Sequence, residues 1–434
     1  MARRIFGTDG VRGIVGEKLT VDLVERLGRA AALWATAQGA APGGAVPRFL
    51  IGRDTRGSGP ELEQALARGI ASGGGVAVVG GVLPTPAVAL LAGEGFGAVI
   101  TASHNPPEYN GVKFFGAGGN KLVDADEEAI ESLLGAAAAA VPGRSEPLDV
   151  AVAEYIALVL DRFGGGAGSL AGLAIGVDCA NGAYSGLAPA VFERLGARVV
   201  TVGDAPSGAN INSGCGATDL DLLARTVRDQ GLDLGIAFDG DGDRMLAVTA
   251  AGDPIDGDQI VAILAPFLGV DQVAVTVMSN LGLHRFLGER GIRVHSTDVG
   301  DRYVLEALRR EGGILGAEQS GHIIVLDGHV TGDGLAAALL LCRALGGRTL
   351  AEAAAAMPRY PQFKVNVPTS GKTLSQGLRD ELADINTNLA GSGRVLVRPS
   401  GTEPLVRILA EAENRESAAD LCARVERLVR QEIG

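Results

Sequence analysis

The stretch Gly235-Ile236-Ala237-Phe238-Asp239-Gly240-Asp241-Gly242-Asp243-Arg244 decides the fold class. Its opening residues are apolar and predict a buried strand, whereas the aspartates that follow alternate with glycines and predict a tight loop. Open α/β sheets bind their ligands in loops beyond the carboxyl ends of their strands. The stretch therefore predicts an α/β fold with a functional loop directly after a strand.

The same arrangement of an apolar strand followed by a polar cluster recurs elsewhere in the chain. Three such places are Ala98 to Pro106, Ile314 to His322 and Val395 to Pro404. Because ligand-binding loops of α/β proteins gather at strand ends, four loops from four segments predict one shared cleft.

Strands and helical stretches alternate along the whole chain, which is typical of layered α/β domains with parallel or mixed sheets. At 434 residues the chain exceeds what one core usually serves. Breaks in the pattern lie near 135–147, 249–253 and 358–366 and predict four domains. The predicted strands are Phe49–Ile51, Val76–Val79, Ala98–Thr101, Leu173–Val177, Val199–Val202, Gly235–Phe238, Val273–Val277 and Ile323–Leu326.

Composition narrows the class of protein. A net charge of −13 and a pI near 5.0 provide no basic face for a nucleic-acid partner. The beginning of the chain turns polar at Thr8-Asp9 instead of entering a signal-peptide core, and the longer apolar runs are too short to span a bilayer. Four scattered cysteines lack metal-like spacing. We therefore expect a cytoplasmic protein with no membrane or nucleic-acid partner.

Asp239, Asp241 and Asp243 are candidate metal ligands, because three convergent carboxylates repel one another unless a cation lies among them. Hard oxygen ligands suit Mg²⁺. A calcium-binding EF-hand does not fit, since Arg244 occupies the position where that loop needs glycine and Ala250 the position where it needs glutamate. A solvated acidic turn is the simpler alternative.

Ser103 is the candidate nucleophile, since the prolines after Asn105 stiffen a loop that can present its hydroxyl rigidly. A helix or turn cap is the alternative. No Gly-x-Ser-x-Gly elbow surrounds the residue, which disfavours acyl transfer. A serine near a metal site favours phosphoryl transfer. The nearby Lys113 and His104 are candidate proton carriers.

Two other clusters are suited to binding. The loop from Arg398 to Pro404, with Arg407, offers forked guanidinium groups, hydroxyls and backbone N–H groups for a phosphate. Glu318, Ser320 and His322 alternate an acceptor, a hydroxyl and an imidazole, a set suited to sugar hydroxyls. Exposed turns are the alternative for both clusters. Ser370-Gly371-Lys372-Thr373 looks like a nucleotide-binding P-loop, but Asn366 replaces its first glycine.

With these loops in order, the chain resembles the α-D-phosphohexomutase superfamily over essentially its full length. The motifs are Thr101-Ala-Ser-His-Asn-Pro, Asp239-Gly-Asp-Gly-Asp-Arg, Glu318-Gln-Ser-Gly-His and Arg398-Pro-Ser-Gly-Thr-Glu-Pro. The resemblance implies three α/β domains with mixed sheets and a smaller C-terminal α+β domain around a central cleft. The implied boundaries are 1–147 with the phosphoserine loop, 148–250 with the metal loop, 251–364 with the sugar loop and 365–434 with the phosphate-binding loop.

The resemblance also implies roles for individual residues. Ser103 would be the phosphoserine and, through its phosphate oxygen, a fourth ligand of Mg²⁺. Glu318 and Ser320 would contact the sugar, with His322 in the same loop. The implied phosphate-binding residues are Arg398, Ser400, Gly401, Thr402 and Arg407, and the implied cleft cations are Arg12, Lys113 and Arg244.

Within the superfamily, Gly7-Thr-Asp-Gly-Val-Arg-Gly13 and Val299-Gly-Asp-Arg-Tyr-Val304 resemble the bacterial branch that acts on glucosamine phosphates. This implies interconversion of glucosamine 6-phosphate and glucosamine 1-phosphate, with a hexose 1,6-bisphosphate as intermediate and activator, for cell-wall precursors. Tyr109 and Gly16 differ from that branch, so a phosphomannomutase or phosphoglucomutase remains an alternative. A sugar-phosphate-binding protein without turnover is another. The oligomeric state stays open, with a homodimer as the candidate.

Overall fold

The computed structural model describes residues 5–7, 9–38, 45–369, 374–399 and 404–433. Contacts group the chain into two compact units. The first comprises Met1–Val277 and His295–Ala354, and the second comprises Met278–Val294 and Ala355–Gly434. Among the described residues, no helix is both long and apolar enough to cross a membrane.

The N-terminal part of the first unit is a mixed sheet with helices. Its strands lie in the order β1-β5-β4-β2-β3-β7, with β6 beside β5. Thr20 caps the first helix by accepting the Leu23 N–H, and the apolar side of that helix enters the core beneath the sheet. The elements are β1 (Val11–Ile14), α1 (Val21–Ala37), β2 (Arg48–Arg53), α2 (Gly59–Ser72), β3 (Val76–Val82), α3 (Thr85–Leu91), β4 (Phe96–Ile100), β5 (Tyr109–Gly116), β6 (Asn120–Lys121), α4 (Asp124–Ser132) and β7 (Arg144–Pro147).

A second sheet of the same unit has the strand order β12-β11-β10-β8-β9. Its central strand β10 is buried along its whole length and pairs in parallel with β8 and antiparallel with β11. This explains its continuous apolar sequence, because a strand covered on both faces has no solvent side. The elements are α5 (Ala151–Phe163), β8 (Ala174–Asp178), α6 (Leu187–Arg194), β9 (Arg198–Val202), α7 (Asp221–Asp229), β10 (Leu234–Phe238), β11 (Met245–Thr249) and β12 (Pro254–Ile255).

A third sheet has the strand order β14-β13-β15-β16. Its first helix begins with a capping box, in which Asp256 accepts the Gln259 N–H and the Gln259 side chain accepts the Asp256 N–H. The elements of this part of the chain are α8 (Gly257–Leu268), β13 (Gln272–Thr276), α9 (Leu281–Gly288), β14 (Arg293–Thr297), α10 (Asp301–Glu311), β15 (Leu315–Ala317), β16 (Ile323–Val325), α11 (Gly334–Ala344) and α12 (Leu350–Ala354). Helix α9 belongs to the second unit.

The rest of the second unit is an antiparallel sheet, β17-β19-β18, with two helices. Side chains alternate between its faces: Val367, Val406 and Ile408 enter the core with the helices, whereas Lys364, Asn366 and Arg407 are exposed on the other face. The elements are β17 (Gln362–Pro368), α13 (Gln376–Leu389), β18 (Gly393–Pro399), β19 (Leu405–Ala412) and α14 (Arg415–Ile433).

The α/β class with mixed sheets and a smaller α+β part is confirmed. Each predicted strand is present, with ends shifted by up to three residues; the strand before Ser103 begins at Phe96, for example. Among the strands that the sequence analysis missed, β5 and β14 mix polar and apolar residues, so neither forms an apolar run. The four domain boundaries remain a prediction.

Candidate active site

Ser103 lies three residues beyond the end of β4, in a backbone conformation that is rare for a residue with a side chain. Its φ is +51°, in the left-handed region, and its N–H donates to Thr101 Oγ1 at 2.8 Å. The side chain is buried, and its hydroxyl donates to Asp239 Oδ2 at 2.6 Å. His104 Nδ1 is 3.2 Å from the same hydroxyl. The nucleophile predicted from the sequence therefore lies against the predicted metal loop.

The loop after β10 turns its three aspartates inward. Asp239, Asp241 and Asp243 are buried, and one carboxylate oxygen from each lies within 4.8 Å of the other two. Gly242 allows this turn, since its φ is +77° and a Cβ there would lie 2.4 Å from the Tyr184 ring. Glycine is also required at Gly240, where a Cβ would lie 2.7 Å from the carbonyl oxygen of Ser103.

The electrostatics of the aspartate loop favour an added cation. Burial, followed by the charges of Asp241 and Asp243, raises the pKa of Asp239 well above its usual range. Burial also opposes charge on Asp243, but Lys113 and His322 outweigh it and hold the pKa of that carboxyl well below its usual range. One cation at the shared oxygens would relieve the repulsion among the three groups.

The donor set fits a hard metal ion. Asp241 Oδ1 and Asp243 Oδ1 are buried, and within the described part of the chain neither has a hydrogen-bond partner. A buried acceptor without a hydrogen-bond donor or a cation beside it lowers the stability of the fold. Carboxylate oxygens are the ligands that Mg²⁺ prefers, and this ion commonly keeps positions open for water or phosphate. Among the described residues, these aspartates are the group able to hold a metal ion.

Lys113 is a buried cation held by carboxylates. Its Nζ lies 3.0 Å from Asp241 Oδ2, 3.4 Å from Asp243 Oδ2 and 3.0 Å from Asp9 Oδ2. Burial alone would lower its pKa, but these three carboxylates outweigh burial and raise the pKa above the usual range for lysine. At neutral pH Lys113 is therefore a fixed positive charge and does not act as a proton acceptor.

The charged cluster extends to residues that the sequence analysis did not select. Asp9 accepts from Lys121 at 3.1 Å, and Lys121 also pairs with Asp301. His322 extends this series of charged contacts, because its Nε2 is 3.4 Å from Asp301 Oδ2 and its Nδ1 is 3.7 Å from Asp243 Oδ1. Asp9 and Asp301 both lie in motifs that marked the bacterial branch, which was the available signal for them.

The predicted sugar loop is the turn between β15 and β16, and its three candidate residues have different surroundings. Glu318 Oε1 accepts the Gly300 N–H at 3.0 Å, and the exposed Ser320 hydroxyl is 3.5 Å from Glu318 Oε2. His322 is buried among carboxylates instead of being exposed beside them. The structure thus places His322 next to the aspartate loop, while its predicted contact with a sugar remains a prediction.

The remaining candidate cations lie around the same loop. Arg12 pairs with Asp9. The Arg244 N–H donates to Asp239 Oδ1 at 3.1 Å, and its Nε is 3.8 Å from Asp243 Oδ1. Burial, followed by the charges of Arg244 and Arg12, lowers the pKa of His104 to about 4. The imidazole beside Ser103 is therefore neutral at pH 7 and able to accept a proton.

The second unit carries the predicted phosphate-binding arginines. Arg398 on β18 and Arg407 on β19 are directly opposite each other in the strand register. Both line a cavity of about 240 Å³ together with Lys364 and Asn366. Side chains of opposed strand residues lie close enough to meet one anion. The other predicted phosphate contacts, Ser400, Gly401 and Thr402, lie outside the described residues.

Four family models match this chain, and together they span most of it. They are described as the phosphoglucomutase/phosphomannomutase alpha/beta/alpha domain I at residues 3–140, domain II at 153–252, domain III at 256–360 and the C-terminal domain at 363–428. Each of the four predicted loops falls within a different one of these matches.

Curated relatives match over nearly the full length. The phosphoglucosamine mutase of Thermobifida fusca is 47% identical, covering 99% of this chain and 99% of the relative. The phosphoglucosamine mutase of Moorella thermoacetica is 47% identical, covering 98% of this chain and 99% of the relative.

Solved structures agree with the fold. A phosphoglucomutase/phosphomannomutase family protein from Burkholderia thailandensis superimposes with a TM-score of 0.83 at 26% identity, covering 99% of this chain and 96% of that one. The N-acetylphosphoglucosamine mutase of Aspergillus fumigatus, solved with GlcNAc-6P and magnesium, gives 0.72 at 19% identity, covering 99% and 96%. The second likeness shows the fold alone.

Proposed function

This chain belongs to the phosphoglucomutase/phosphomannomutase family of isomerases, and from that premise we propose that it interconverts glucosamine 6-phosphate and glucosamine 1-phosphate. Relatives named phosphoglucosamine mutase, 47% identical over nearly the whole chain, support this substrate. In the proposed pathway, the product feeds amino-sugar nucleotide and cell-wall precursor synthesis. The reaction uses one small sugar phosphate and no nucleic acid or membrane partner.

The observation that carries the proposal is the buried hydroxyl of Ser103, 2.6 Å from Asp239 in a cluster of carboxylates. In the active form Ser103 carries a phosphoryl group, placed there by an activating hexose 1,6-bisphosphate. The free sugar hydroxyl attacks that phosphorus, the bond from phosphorus to Ser103 Oγ breaks, and the sugar becomes a 1,6-bisphosphate. Ser103 Oγ then attacks the other phosphate and regenerates the phosphoserine, leaving the isomeric monophosphate.

Asp239, Asp241, Asp243 and the phosphate oxygen on Ser103 are the proposed ligands of Mg²⁺, which when bound neutralises charge on the transferred group. The protein adds its own fixed charge. Lys113 contacts two of these aspartates, so its ammonium group would lie beside the reacting phosphate. Such preorganised charge in a buried site lowers the barrier without reorganisation during the reaction.

The sugar hydroxyl that attacks must lose a proton, and the structure offers two candidates for receiving it. The pKa of His104 is lowered to about 4, so its imidazole is neutral at pH 7, and its Nδ1 lies 3.2 Å from the Ser103 hydroxyl. The pKa of Lys113 is raised, which suits a charge donor more than a base. We therefore assign the proton-accepting role to His104 and the electrostatic role to Lys113.

The other loops bind the parts of the substrate that do not react. Glu318 and Ser320 would accept and donate hydrogen bonds to sugar hydroxyls, with His322 behind them. Arg398 and Arg407 would hold the second phosphate together with Ser400, Gly401 and Thr402. Arg12 and Arg244 are the further cations of the proposed site. We propose the four domains at 1–147, 148–250, 251–364 and 365–434 as carriers of these loops.

A mutase of glucose or mannose phosphates would use the same chemistry. Tyr109, which follows the Ser103 loop at the start of β5, is the residue that favours this second candidate. A coupled assay of turnover on glucosamine, glucose and mannose phosphates, with a catalytic amount of hexose 1,6-bisphosphate, separates the two. We expect the highest kcat/KM with glucosamine phosphate; a higher value with either neutral sugar would reject the proposed substrate, and no turnover on any of them would favour a binding protein.

A further inference from the structure

Arg56 is a fully buried arginine that lies in the loop between β2 and α2 and has no part in the chemistry described above. Only 1% of it is exposed, yet every one of its five N–H groups has a partner. Its Nε donates to Asp54 Oδ2 at 2.9 Å. The other four N–H groups all point at backbone carbonyls of the Ser103 loop.

These carbonyls belong to residues spread along the turn from Ser103 to the start of β5. One terminal nitrogen of Arg56 donates to the carbonyl of Ser103 at 3.0 Å and to that of Asn105 at 2.8 Å. The other donates to the carbonyl of Pro106 and, at 2.9 Å, to that of Tyr109. A single guanidinium group thus binds four carbonyls of this turn.

The same network also reaches the N–H side of Ser103. That N–H donates to Thr101 Oγ1 at 2.8 Å, and the Thr101 hydroxyl donates to Asp54 Oδ2 at 2.6 Å. The Asp54 carboxylate in turn accepts hydrogen bonds from Arg56 Nε and from the Arg56 backbone N–H. The peptide groups on both sides of Ser103 are therefore tied into one closed ring of hydrogen bonds.

Ser103 needs this restraint because its φ of +51° is unfavourable for a residue with a Cβ. Such a conformation persists only where the surrounding structure determines it. If the loop relaxed to an ordinary conformation, the Ser103 side chain would leave its present direction toward Asp239.

We propose that Arg56 is a positioning residue that holds the Ser103 loop in its left-handed conformation and so aims Ser103 Oγ at the aspartate loop. This inference rests on the proposed function of Ser103 as phosphoryl carrier. Among the described residues, the Arg56 guanidinium binds Asp54 and carbonyls of the Ser103 loop and not Asp239, Asp241 or Asp243, so Arg56 acts through the backbone. Its geometry requires the planar fork of arginine, since lysine has three donors on one nitrogen and cannot reach four carbonyls and Asp54 together.

Asn212 makes a second, independent set of hydrogen bonds to the same loop. Its Nδ2 donates to the carbonyls of Ser103 at 2.9 Å and Asn105 at 3.2 Å, two of the groups that Arg56 holds. The side chain is only half-buried, so Asn212→Ala is expected to fold, with some loss of stability because alanine is unfavourable at the Asn212 φ of +58°. Both variants should have the same kinetic signature, with a smaller effect for Asn212.

The test uses the full chain with Arg56→Lys, Asn212→Ala and a matched control, Arg68→Lys. Arg68 lies on α2 and donates through Nε to Glu25 Oε2 at 3.0 Å, away from the Ser103 loop. For each protein we would measure kcat, KM for the sugar phosphate and the rate at which Ser103 takes up phosphate from hexose 1,6-bisphosphate. Thermal unfolding reports the folded fraction.

For Arg56→Lys we expect kcat and the rate of phosphate uptake to fall together, by about a hundredfold, because a small misplacement of a reacting group has an effect of that size. KM should stay within about threefold, since Arg56 does not contact the sugar. Asn212→Ala should lose about tenfold in the same two rates, and Arg68→Lys should match the wild type.

A purely structural role predicts a different pattern, in which Arg56→Lys unfolds at lower temperature while each folded molecule keeps the wild-type kcat. That result, or an unchanged rate of phosphate uptake in Asn212→Ala, overturns the positioning role. The proposed function is tested separately by the wild type. If wild-type Ser103 takes up no phosphate, the function itself fails, whereas an active phosphorylated wild type with an equally active Arg56→Lys rejects the positioning role alone.

Discussion

The aspartate loop of the first unit and the arginine face of the second unit place charge in opposite ways. Asp239 and Asp241 are 0% exposed and lie in a cluster with Lys113. Arg407, in contrast, is exposed on an open sheet face, opposite the partly exposed Arg398. The first arrangement surrounds its charges with protein, and the second presents them to solvent.

Under the proposed function, this difference indicates that the two regions have different roles in catalysis and binding. Buried charges interact strongly and cannot rearrange freely, which suits a group that must stabilise developing charge. Charges at an exposed surface are more strongly screened by water, and forked guanidinium groups there suit capture and orientation of a phosphate. Changes in the first region should therefore act on kcat, and changes in the second on kcat/KM.

The largest effect is expected for Ser103→Ala. This change removes the hydroxyl that carries the phosphoryl group, so activity should fall by at least about a thousandfold in the coupled assay. Ser132→Ala, which alters an exposed helix serine, is the matched control and should keep full activity. Wild-type turnover by Ser103→Ala would exclude the covalent mechanism.

The next effect tests the metal assignment in the buried region. Asp241→Asn removes one carboxylate charge, and we expect kcat to fall about a hundredfold or more, as for loss of a group that stabilises transferred charge. A chelator should stop wild-type turnover without a large change in the unfolding temperature, because the core does not depend on the metal. The exposed Asp229→Asn is the control. Full activity of Asp241→Asn in metal-free buffer would contradict the assignment.

A smaller effect is expected on the arginine face. Arg398→Ala and Arg407→Ala should each lower kcat/KM by roughly a hundredfold, about 2–3 kcal/mol, because each removes one charged hydrogen-bond partner of the phosphate. Stability should change little. Arg424→Ala, at an exposed position of α14 in the same unit, is the control. Unchanged kcat/KM in both variants, with normal folding, would mean that these arginines form surface ion pairs that contribute little free energy and have no part in turnover.

The smallest effect on catalysis is expected at Ser375, which caps α13 in the same unit. Its hydroxyl accepts the Leu378 N–H at 3.1 Å, and Ser375→Ala should lower the free energy of unfolding by about 1 kcal/mol. Chemical denaturation measures that loss, while kcat/KM should stay at the wild-type value. A matching loss of kcat/KM would mean that the arginine effects could arise from instability of the unit.

The sequence predicted those parts of the fold and the site that depend on local pattern. Phe238 ends an apolar run and Asp239 begins an alternation with glycine, so both the strand and the loop were recognisable. The proximity of Ser103 to Asp239 followed from both loops lying at strand ends. Neither inference required knowledge of distant contacts.

Other features depend on residues far apart in the chain. Lys121 meets Asp301 across 180 positions, and no local spacing indicates that pair. His322 was grouped with Glu318 because the two are close in sequence, but the chain turn directs the imidazole toward Asp243. Arg56 was overlooked because an arginine near glycines is typical of an exposed loop.

The central claim is that Ser103 carries the transferred phosphoryl group, and uptake of labelled phosphate tests it most directly. The dephosphorylated protein would be incubated with hexose 1,6-bisphosphate labelled in its phosphoryl groups, and intact mass and peptide mapping would locate the label. The account predicts one phosphoryl group on Ser103, which glucosamine 6-phosphate then removes as labelled bisphosphate. Label on another residue, or turnover while Ser103 stays unlabelled, would contradict it.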